Sequence, residues 1–333
     1  MSQKHFLVLG VGSVGRRHSR NLASLGCQIS AMDPRADHLK EAAIEVPLIH
    51  RFTNLEDSLA KSSEYSGVIV CSPPNFHVRQ AIAALKLGLP VLLEKPVSPD
   101  AESTRILADA VREAQVPLLL GYSYRWWPPV QELKCRLDQQ AVGKVLHVRC
   151  VLSAHLADWH PWEHYQDFFM ARRELGGGAL LDESHFLDLM LWFFGMPGEV
   201  FAKIERLSAL EIETDDNVDA WLAYPDGKRI LVHLDLYGRP HERSITVIGD
   251  QGTLQWRYET NTLHYSQSIG QDWQETKYTC ERNEMFMGTA REFVEMLDSG
   301  QAPSCTIEDG YKVLRAIEAM RRSSASGQII SLE

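Results

Sequence analysis

The sequence predicts an α/β protein in which a doubly wound parallel sheet is followed by an α+β domain with an open, mainly antiparallel sheet. Short apolar strands alternate with helical segments through the first 121 residues, a pattern typical of a parallel sheet. Beyond residue 198 strand follows strand, which indicates antiparallel pairing. We therefore expect two domains, 1–121 and 122–333, with a last helix near 307–323 that packs back near the first domain.

Composition and charge argue against several classes of protein. The 333 residues include 44 acidic and 34 basic side chains, a net charge of −10 at pH 7, so nucleic acid or an anionic membrane is not expected as the main partner. No apolar run is long enough to span a bilayer. A strand is predicted close to the N-terminus, so we expect no signal peptide and a cytoplasmic protein. The six cysteines form no Cys-x-x-Cys pair, which favours free thiols in a reducing compartment.

A glycine-rich loop follows the first predicted strand, His5–Leu9. The loop reads Gly10-Val11-Gly12-Ser13-Val14-Gly15 and opens a predicted helix. The first glycine permits a tight turn, and the second lets the backbone approach a pyrophosphate. The third lets the helix pack closely on the strand, with the phosphates at its positive N-terminal end. The candidate dinucleotide-binding residues of this Rossmann-type motif are Gly10, Gly12, Ser13, Val14 and Gly15.

The second predicted strand, 28–32, ends at an acid that suits a ribose. Asp33 lies 18 residues past Gly15, near the spacing of about 20 at which an acid bonds the adenosine ribose. A carboxylate repels the 2′-phosphate of NADP, so Asp33 favours NAD. Arg35 could receive such a phosphate, or it could be a solvated surface charge. NAD is therefore the predicted cofactor, with NADP as the alternative.

Two later strands end in polar segments at the same edge of the predicted sheet. The strand at 67–71 leads to Ser72-Pro73-Pro74-Asn75-Phe76-His77, and the strand at 90–93 leads to Glu94-Lys95-Pro96. Ligands of doubly wound sheets bind beyond the carboxyl ends of the strands. Lys95 could direct its ammonium at an oxygen near the nicotinamide, or it could be a surface lysine paired with Glu94. The candidate cofactor-binding residues here are Ser72, Pro73, Asn75, His77, Glu94 and Lys95.

One predicted helix of the second domain carries three titratable residues on one strip of its surface. Three glycines, 176–178, precede a largely apolar helix expected over 179–194, and this helix carries Asp182, His185 and Asp188. Residues three apart on a helix lie only about 60° apart around its axis. Titratable groups on a buried helix need partners or a function, because unpaired burial is costly. Taken alone, the stretch fits a capped helix with a hydrogen-bonded core histidine equally well.

The rest of the second domain supplies a polar, aromatic segment and the second sheet. His155–Tyr165 is dense in aromatic rings and hydrogen-bonding groups, which suits a sugar pocket with His155 and Trp159 as candidate contacts. A folded surface loop with buried tryptophan anchors explains the same segment equally well. His160 and His164 lie four apart, but no cysteine or acid stands in register, so we predict no metal site. Strands are expected at 145–152, 199–206, 217–224, 229–236, 244–249, 252–258 and 262–266, with a hairpin turn at 225–228 and helices at 129–139, 284–297 and 307–323.

The glycine loop, Ser72–His77, Glu94-Lys95-Pro96 and Gly176–Asp188 occur in this order. In these motifs the whole chain resembles the Gfo/Idh/MocA family, the glucose–fructose oxidoreductase and inositol dehydrogenase group of NAD(P)-dependent oxidoreductases. The resemblance implies that Lys95, Asp182 and His185 form the catalytic group. It also implies a homodimer or homotetramer formed through the second sheet.

Gly121-Tyr122-Ser123-Tyr124-Arg125-Trp126 resembles the segment that joins the two domains in that family. The implied substrate-binding residues are Lys95, Tyr122, Arg125, Asp182 and His185. The chain departs from the pattern at Ser123 and Trp126, where Asn and Phe are common. It also has three residues from Asp182 to His185 where many members have four. A branch associated with unusual sugar biosynthesis has a similar Asp-x-Ser-His reading, which points to a sugar-like substrate.

The predicted reaction is hydride transfer between nicotinamide C4 and a carbinol or carbonyl carbon of a sugar, sugar derivative or cyclitol. His185 would move the hydroxyl proton, since imidazole has an ordinary pKa of about 6.5. Lys95 would hold the reacting oxygen, and Asp182 would orient His185 or a second hydroxyl. The alternatives are a non-enzymatic dinucleotide-sensing regulator of the same fold and a reductase of a non-sugar carbonyl such as a dicarbonyl, diol or tetrapyrrole.

Overall fold

The computed structural model describes residues 3–159, 164–267 and 272–332. The strands are β1 His5–Leu9, β2 Gln28–Met32, β3 Leu48–Phe52, β4 Gly67–Val70, β5 Val91–Leu93, β6 Leu118–Leu120, β7 Val145–Ser153, β8 Glu199–Glu205, β9 Asn217–Ala223, β10 Arg229–Asp235, β11 Glu242–Gly249, β12 Thr253–Arg257, β13 Thr262–Ser266, β14 Gln274–Lys277 and β15 Ile330–Ser331. The α-helices are α1 Ser13–Ser24, α2 Ala36–Glu45, α3 Leu55–Leu59, α4 Pro74–Leu85, α5 Ala101–Ala114, α6 Pro128–Asp138, α7 Ala179–Asp182, α8 Ser184–Phe194, α9 Asn283–Ser299 and α10 Ile307–Ser326. Short 3₁₀ turns lie at Ser62–Glu64, Ser123–Trp126, Leu156–Asp158, Tyr165–Asp167, Phe169–Ala171 and Arg173–Leu175. Across these three ranges, no helix combines the length and the apolar character that a membrane span requires.

The first compact unit, Met1–Ser123 with Arg282–Tyr311, contains a parallel sheet. Its strand order is β3-β2-β1-β4-β5-β6, and every neighbouring pair is parallel. Strands β1, β4, β5 and β6 are buried along their whole length, because helices cover both faces of such a sheet. The order reverses between β1 and β4, which is where doubly wound sheets open a crevice at the carboxyl ends of their strands. The predicted doubly wound sheet is confirmed.

Helix α9 belongs to this first unit, although the sequence pattern placed it after the boundary at residue 121. Phe293 is fully buried, and its ring centroid lies 5.6 Å from that of Phe6 on β1. A Cβ added to Gly67 would lie 3.1 Å from the Phe293 ring. The guanidinium of Arg17 stands 4.4 Å above the ring of Phe286. The apolar face of α9 therefore completes the cover of the first sheet, a long-range contact that local sequence pattern does not indicate.

The second compact unit, Tyr124–Glu281 with Lys312–Glu333, contains the second sheet. Its strand order is β14-β13-β12-β11-β7-β10-β9-β8-β15. Only β7 and β10 pair in parallel among the described strands of this sheet, and the other pairs are antiparallel. The predicted open, mainly antiparallel sheet and the hairpin turn at 225–228 are therefore confirmed. Sequence pattern did not indicate β14 or β15, because β14 is polar and fully exposed and β15 has two residues.

Truncating Phe293 is expected to destabilise the first unit. Phe293→Ala leaves a cavity between α9 and the sheet, at a cost of about 3–5 kcal/mol. The corresponding fall in the thermal midpoint is on the order of 10 °C. Ile44 is 85% exposed, so Ile44→Ala serves as the control and should leave the midpoint nearly unchanged. Equal midpoints for the two variants in calorimetry would contradict the packing described here.

Candidate active site

The glycine loop leaves room for a ligand at one of its three glycines. Gly10 has a φ of +82°, and a Cβ there would lie 2.7 Å from the Ser72 backbone. A Cβ on Gly15 would lie 1.9 Å from the carbonyl oxygen of Gly10, so α1 packs tightly on the loop. A Cβ on Gly12, by contrast, would meet no described atom within 4 Å. Gly12 caps α1 without a side-chain hydrogen bond from the described residues, and the first turn carries no acid. Backbone N–H groups at this end of α1, from Ser13 onwards, suit a pyrophosphate.

Asp33 lies beside the glycine loop, as the sequence predicts. Its Oδ2 accepts a 2.9 Å bond from the N–H of Val11, and its Oδ1 accepts one of 2.9 Å from the N–H of Arg35. The ring of His38 approaches the same carboxylate, with Nδ1 3.1 Å from Oδ2. The guanidinium of Arg35 turns away to Asp37, with Nη2 2.5 Å from Oδ2, and this bond lowers the pKa of Asp37 to about 2. The fit to an adenosine ribose thus rests on Asp33, and Arg35 already has a carboxylate partner.

His77 joins the two polar segments at the carboxyl edge of the first sheet. Its ring is buried, with Nδ1 2.8 Å from the carbonyl oxygen of Pro96 and Nε2 2.7 Å from that of Ser72. Burial lowers the pKa of His77, while the two carbonyl oxygens and the charge of Glu94 oppose this effect. The hydroxyl of Ser72 donates to Gln80 at 2.6 Å. The buried ring of His77 therefore forms part of the wall of the predicted cofactor site, where it links the two polar segments.

Three other predicted cofactor-binding residues lie near the ends of β4 and β5. Pro73 precedes the first turn of α4 as its N-cap residue, and Asn75 is exposed on that turn. Lys95 directly follows Glu94 after the end of β5 and forms a cis peptide bond with Pro96. These side chains stand at the ends of β4 and β5, the edge at which doubly wound sheets bind ligands.

The buried carboxylate of Glu94 contacts several segments of the first unit, and the sequence did not predict all of these contacts. Its Oε1 lies 2.7 Å from Nε2 of His18 on α1, and its Oε2 accepts a 3.3 Å bond from the N–H of Lys95. A Cβ on Gly121 would lie 2.9 Å from Oε1, so the carboxylate fills the space that this glycine leaves. His18 was missed. Its signal is a histidine three residues after the last glycine of the loop, on the face of α1 that turns to the sheet.

The predicted continuous helix over 179–194 is wrong, because it breaks at Glu183. The backbone there has φ −87° and ψ 13°. The N–H of Glu183 closes α7 on the carbonyl of Ala179 at 3.0 Å, and the carbonyl of Glu183 accepts the N–H of Phe186 at 3.0 Å to open α8. A spacing of 100° per residue therefore relates His185 to Asp188 within α8 but does not extend across the break to Asp182.

Within the second unit, His185 contacts Tyr124 and Asp188 contacts Arg125. The ring centroids of His185 and Tyr124 lie 5.2 Å apart at an interplanar angle of 70°. Asp188 is buried and accepts two bonds from Arg125, at 2.9 Å from Nε and 2.7 Å from Nη2. Of the residues 176–191, which the structure describes in full, His185 alone is not buried. Within this segment, His185 is therefore the one residue that keeps partial exposure.

The segment after β7 is tied down by a surface ion pair. Arg239 donates to Asp158 at 2.7 and 2.6 Å and lowers the pKa of Asp158 to about 2. The same guanidinium lies 3.2 Å from Nδ1 of His155, whose pKa is lowered by burial and by this charge. Trp159 is half-buried. His160 lies outside the described residues, and within the described ranges no three His, Cys, Asp or Glu side chains form a metal-binding group.

The remaining predicted substrate contacts all have buried side chains. Tyr122 is fully buried in the first unit, and Asp182 and Arg125 are buried in the second. The assignments of these residues to substrate stay predictions.

Comparison with known sequences identifies both halves of the chain. Residues 4–122 match a family profile described as an oxidoreductase family with an NAD-binding Rossmann fold, and residues 130–255 match the GFO/IDH/MocA C-terminal domain. The first match confirms the predicted Rossmann fold and NAD as the cofactor.

Three known proteins illustrate the similarity. Inositol 2-dehydrogenase of Corynebacterium glutamicum is 31% identical over 43% of this chain and 43% of its own length. Myo-inositol 2-dehydrogenase of Thermotoga maritima is 24% identical over 98% of both chains. Levoglucosan dehydrogenase, solved in complex with NADH and levoglucosan, superposes with a TM-score of 0.88 at 18% identity over 99% of this chain and 100% of that one.

Coverage differs among the relatives. The chain spans less than half the length of the first curated relatives that it matches. The family profiles nevertheless account for most of its residues, and they occur in the order that the sequence motifs predict. The chain belongs to the Gfo/Idh/MocA family of oxidoreductases.

Proposed function

We propose that this chain is an NAD-dependent oxidoreductase that interconverts a hydroxyl and a carbonyl group on a sugar, sugar derivative or cyclitol. The observation that carries the proposal is the partial exposure of His185, the one residue of 176–191 that is not buried. A partly exposed histidine in an otherwise buried segment suits proton transfer to a bound substrate. The inositol and levoglucosan dehydrogenases among its relatives favour a polyhydroxylated substrate.

The first unit would hold the cofactor with its own backbone and one carboxylate. The start of α1 beside Gly12 would receive the pyrophosphate, and Asp33 would bond the ribose. Bound NAD supplies a hydride acceptor or donor at nicotinamide C4. Glu94 and His77 would keep the Lys95–Pro96 turn in place, since each binds the backbone of that turn.

The chemistry falls to Lys95, His185 and Asp182. Oxidation of a carbinol removes a hydride from carbon and a proton from oxygen, so the hydroxyl proton needs a base. His185 would accept that proton. The ammonium of Lys95 would bond the reacting oxygen and stabilise its developing negative charge. Asp182 would bond a further hydroxyl or orient His185, and reduction would reverse each step.

The substrate would be held by residues of both the joining segment and the loop after β7. Tyr124 lies edge-on to His185, and an aromatic ring beside the base suits the apolar face of a sugar ring. We propose Tyr122, Arg125, His155 and Trp159 as further substrate contacts. We also propose that the protein acts in the cytoplasm.

Replacing the proposed base should abolish most of the turnover and spare cofactor binding. His185→Asn is expected to lower kcat by about 10²–10⁴-fold, the usual contribution of a positioned acid–base group. NADH affinity, measured by fluorescence titration, should stay nearly constant. His264 on β13 is partly exposed and belongs to none of the proposed contacts, so His264→Asn is the matched control. Unchanged turnover of inositol or sugar substrates in His185→Asn would overturn the assignment. Tight NADH binding with no turnover of any carbonyl or carbinol by the native protein would favour a regulator.

Cofactor choice should follow the charge of Asp33. Asp33→Asn keeps an acceptor for the N–H of Val11 but removes the charge that would repel a 2′-phosphate. The ratio of kcat/KM for NAD to that for NADP should fall by about tenfold, equivalent to roughly 1.4 kcal/mol. Asp109 on α5 is an exposed carboxylate, and Asp109→Asn controls for the change in net charge. An equal ratio in both variants would show that Asp33 does not set the preference.

A second copy of the chain is the proposed occupant of the open face of the second sheet. Phe201, Trp221 and Leu231 pair across β8, β9 and β10 and form an apolar row. Leu231 is 44% exposed and pairs with Arg149 of β7, one position from Cys150, which faces α8. The row thus lies on the face turned away from α8.

Charge on this row should break the assembly. Leu231→Glu is expected to convert a homodimer or homotetramer to monomers, because it places a carboxylate at the centre of an apolar interface. Leu207 is 60% exposed and lies outside the row, so Leu207→Glu should leave the mass unchanged in light scattering. A native protein that is monomeric at high concentration would contradict the proposal.

A further inference from the structure

Gly177 and Gly178 are pressed between two other segments of the second unit. Gly178 has a φ of +114°, and a Cβ there would lie 2.4 Å from Oδ1 of Asp215. A Cβ on Gly177 would lie 2.4 Å from the carbonyl oxygen of Met170. Neither position has room for a side chain, so the backbone itself makes these contacts. The glycines are required by packing against Asp215 on one side and the turn Phe169–Ala171 on the other.

Asp215 satisfies the first two N–H groups of α7. Its backbone carbonyl accepts the N–H of Ala179 at 3.0 Å, and its Oδ2 accepts the N–H of Leu180 at 2.8 Å. These groups have no partner inside a helix, and a side-chain oxygen at the helix start normally satisfies them. Gly178 holds the N-cap position and has no such oxygen. The cap therefore comes from a residue 35 positions further along the chain.

The segment that carries Asp215 is itself fastened. The N–H of Glu213 donates to the carbonyl of Ala171 at 2.9 Å, and the hydroxyl of Thr214 donates to that of Met170 at 2.8 Å. Residues 213–215 thus lie between the turn Phe169–Ala171 and the start of α7. The three segments form one hydrogen-bonded unit.

A short path of backbone bonds leads from Asp215 to His185. Helix α7 has four residues, too few to hold a helical conformation alone, because helix nucleation is unfavourable. Contacts with residues outside α7 must therefore hold this helix in position. The N–H of Asp182 bonds the carbonyl of Gly178 at 2.9 Å, and Glu183 then links α7 to α8. A shift of the backbone at Leu180 would therefore displace Asp182 and, through Glu183, also His185.

We infer that Asp215 is a positioning residue for Asp182 and His185, acting through the start of α7. This inference rests on the proposed function for the roles of those two residues. Asp215 does not itself bind substrate in this scheme. It sets the place from which the imidazole is presented.

The raised pKa of Asp215 indicates which conservative substitution suits the test. Burial raises the pKa of Asp215, opposed by its bond from the N–H of Leu180 and by the charge of Arg321, while Asp216 adds to the rise. A raised pKa in the fold means that the neutral carboxyl is favoured there, so its contribution to stability is present at acid pH and is lost as pH rises. Asp215→Asn keeps an acceptor for Leu180 and carries no charge. It should hold α7 in place at neutral pH, whereas Asp215→Ala should not.

The adjacent residue supplies a matched control. Asp216 also binds backbone, but it is buried, and its carboxylate accepts the N–H groups of Leu207 at 2.7 Å and Ser208 at 3.1 Å. These bonds fasten the turn after β8 and do not involve α7. Asp216→Ala removes a comparable set of hydrogen bonds from a neighbouring site. It should lower stability without moving His185.

The test compares Asp215→Ala, Asp215→Asn and Asp216→Ala in the full chain, with His185→Asn alongside. Amide hydrogen exchange over 179–186 measures how well the backbone hydrogen bonds of α7 are protected. It needs no assumption about the reaction. Turnover with separate KM values for NAD and substrate reads its effect on chemistry.

We expect faster exchange over 179–186 in Asp215→Ala than in Asp215→Asn or Asp216→Ala. The kcat of Asp215→Ala should fall by about tenfold or more, since small misplacement of a catalytic group is costly, with the KM for NAD unchanged. Asp215→Asn should recover most of this kcat. Equal exchange in all three variants would overturn the inference whatever the reaction is. So would equal losses of kcat in Asp215→Ala and Asp216→Ala. A His185→Asn variant with normal turnover would instead overturn the proposed function.

Discussion

Buried polar groups must find partners within the fold, and this requirement fixes the functional segments of both units. An unsatisfied buried group costs about 1–3 kcal/mol, and breaking a buried ion pair costs about 3–5 kcal/mol. In the first unit, Glu94 meets this requirement through His18 and the backbone of Lys95. In the second unit, Asp188 meets it through Arg125. The bonds from Glu94 to His18 and from Asp188 to Arg125 join elements far apart in sequence, so the same bonds that satisfy burial also hold distant elements together.

Glycine plays the complementary part in both units, because it lets those partners approach. Gly121 leaves the space that the Glu94 carboxylate fills, and Gly178 leaves the space beside Asp215. A side chain at either position would push a carboxylate off its hydrogen bonds. Gly12 differs, since its free space is open rather than filled by protein. The glycines thus divide into those that admit another part of the chain and one that suits a ligand.

Local pattern in the sequence predicted the elements, the glycine loop and the residues at the carboxyl ends of β4 and β5. It could not predict contacts whose two halves lie far apart. Helix α9 shows an ordinary amphipathic pattern, which does not indicate the sheet against which the helix packs. The pairing of His18 with Glu94 spans 76 residues. The residues next to each of them in the sequence do not indicate that the two side chains pair. The break at Glu183 was missed because the largely apolar run 179–194 is typical of one buried helix. The competing constraint is the anchoring of each half elsewhere.

That anchoring gives the short spacing from Asp182 to His185 a physical meaning. Before the break, Asp215 holds the start of α7 through the N–H of Leu180. After it, Arg125 holds α8 through Asp188, one turn beyond His185. The imidazole is therefore located from both sides of the break. The three-residue spacing from Asp182 to His185 spans this break, so the placement of His185 depends on the two anchors rather than on one continuous helix.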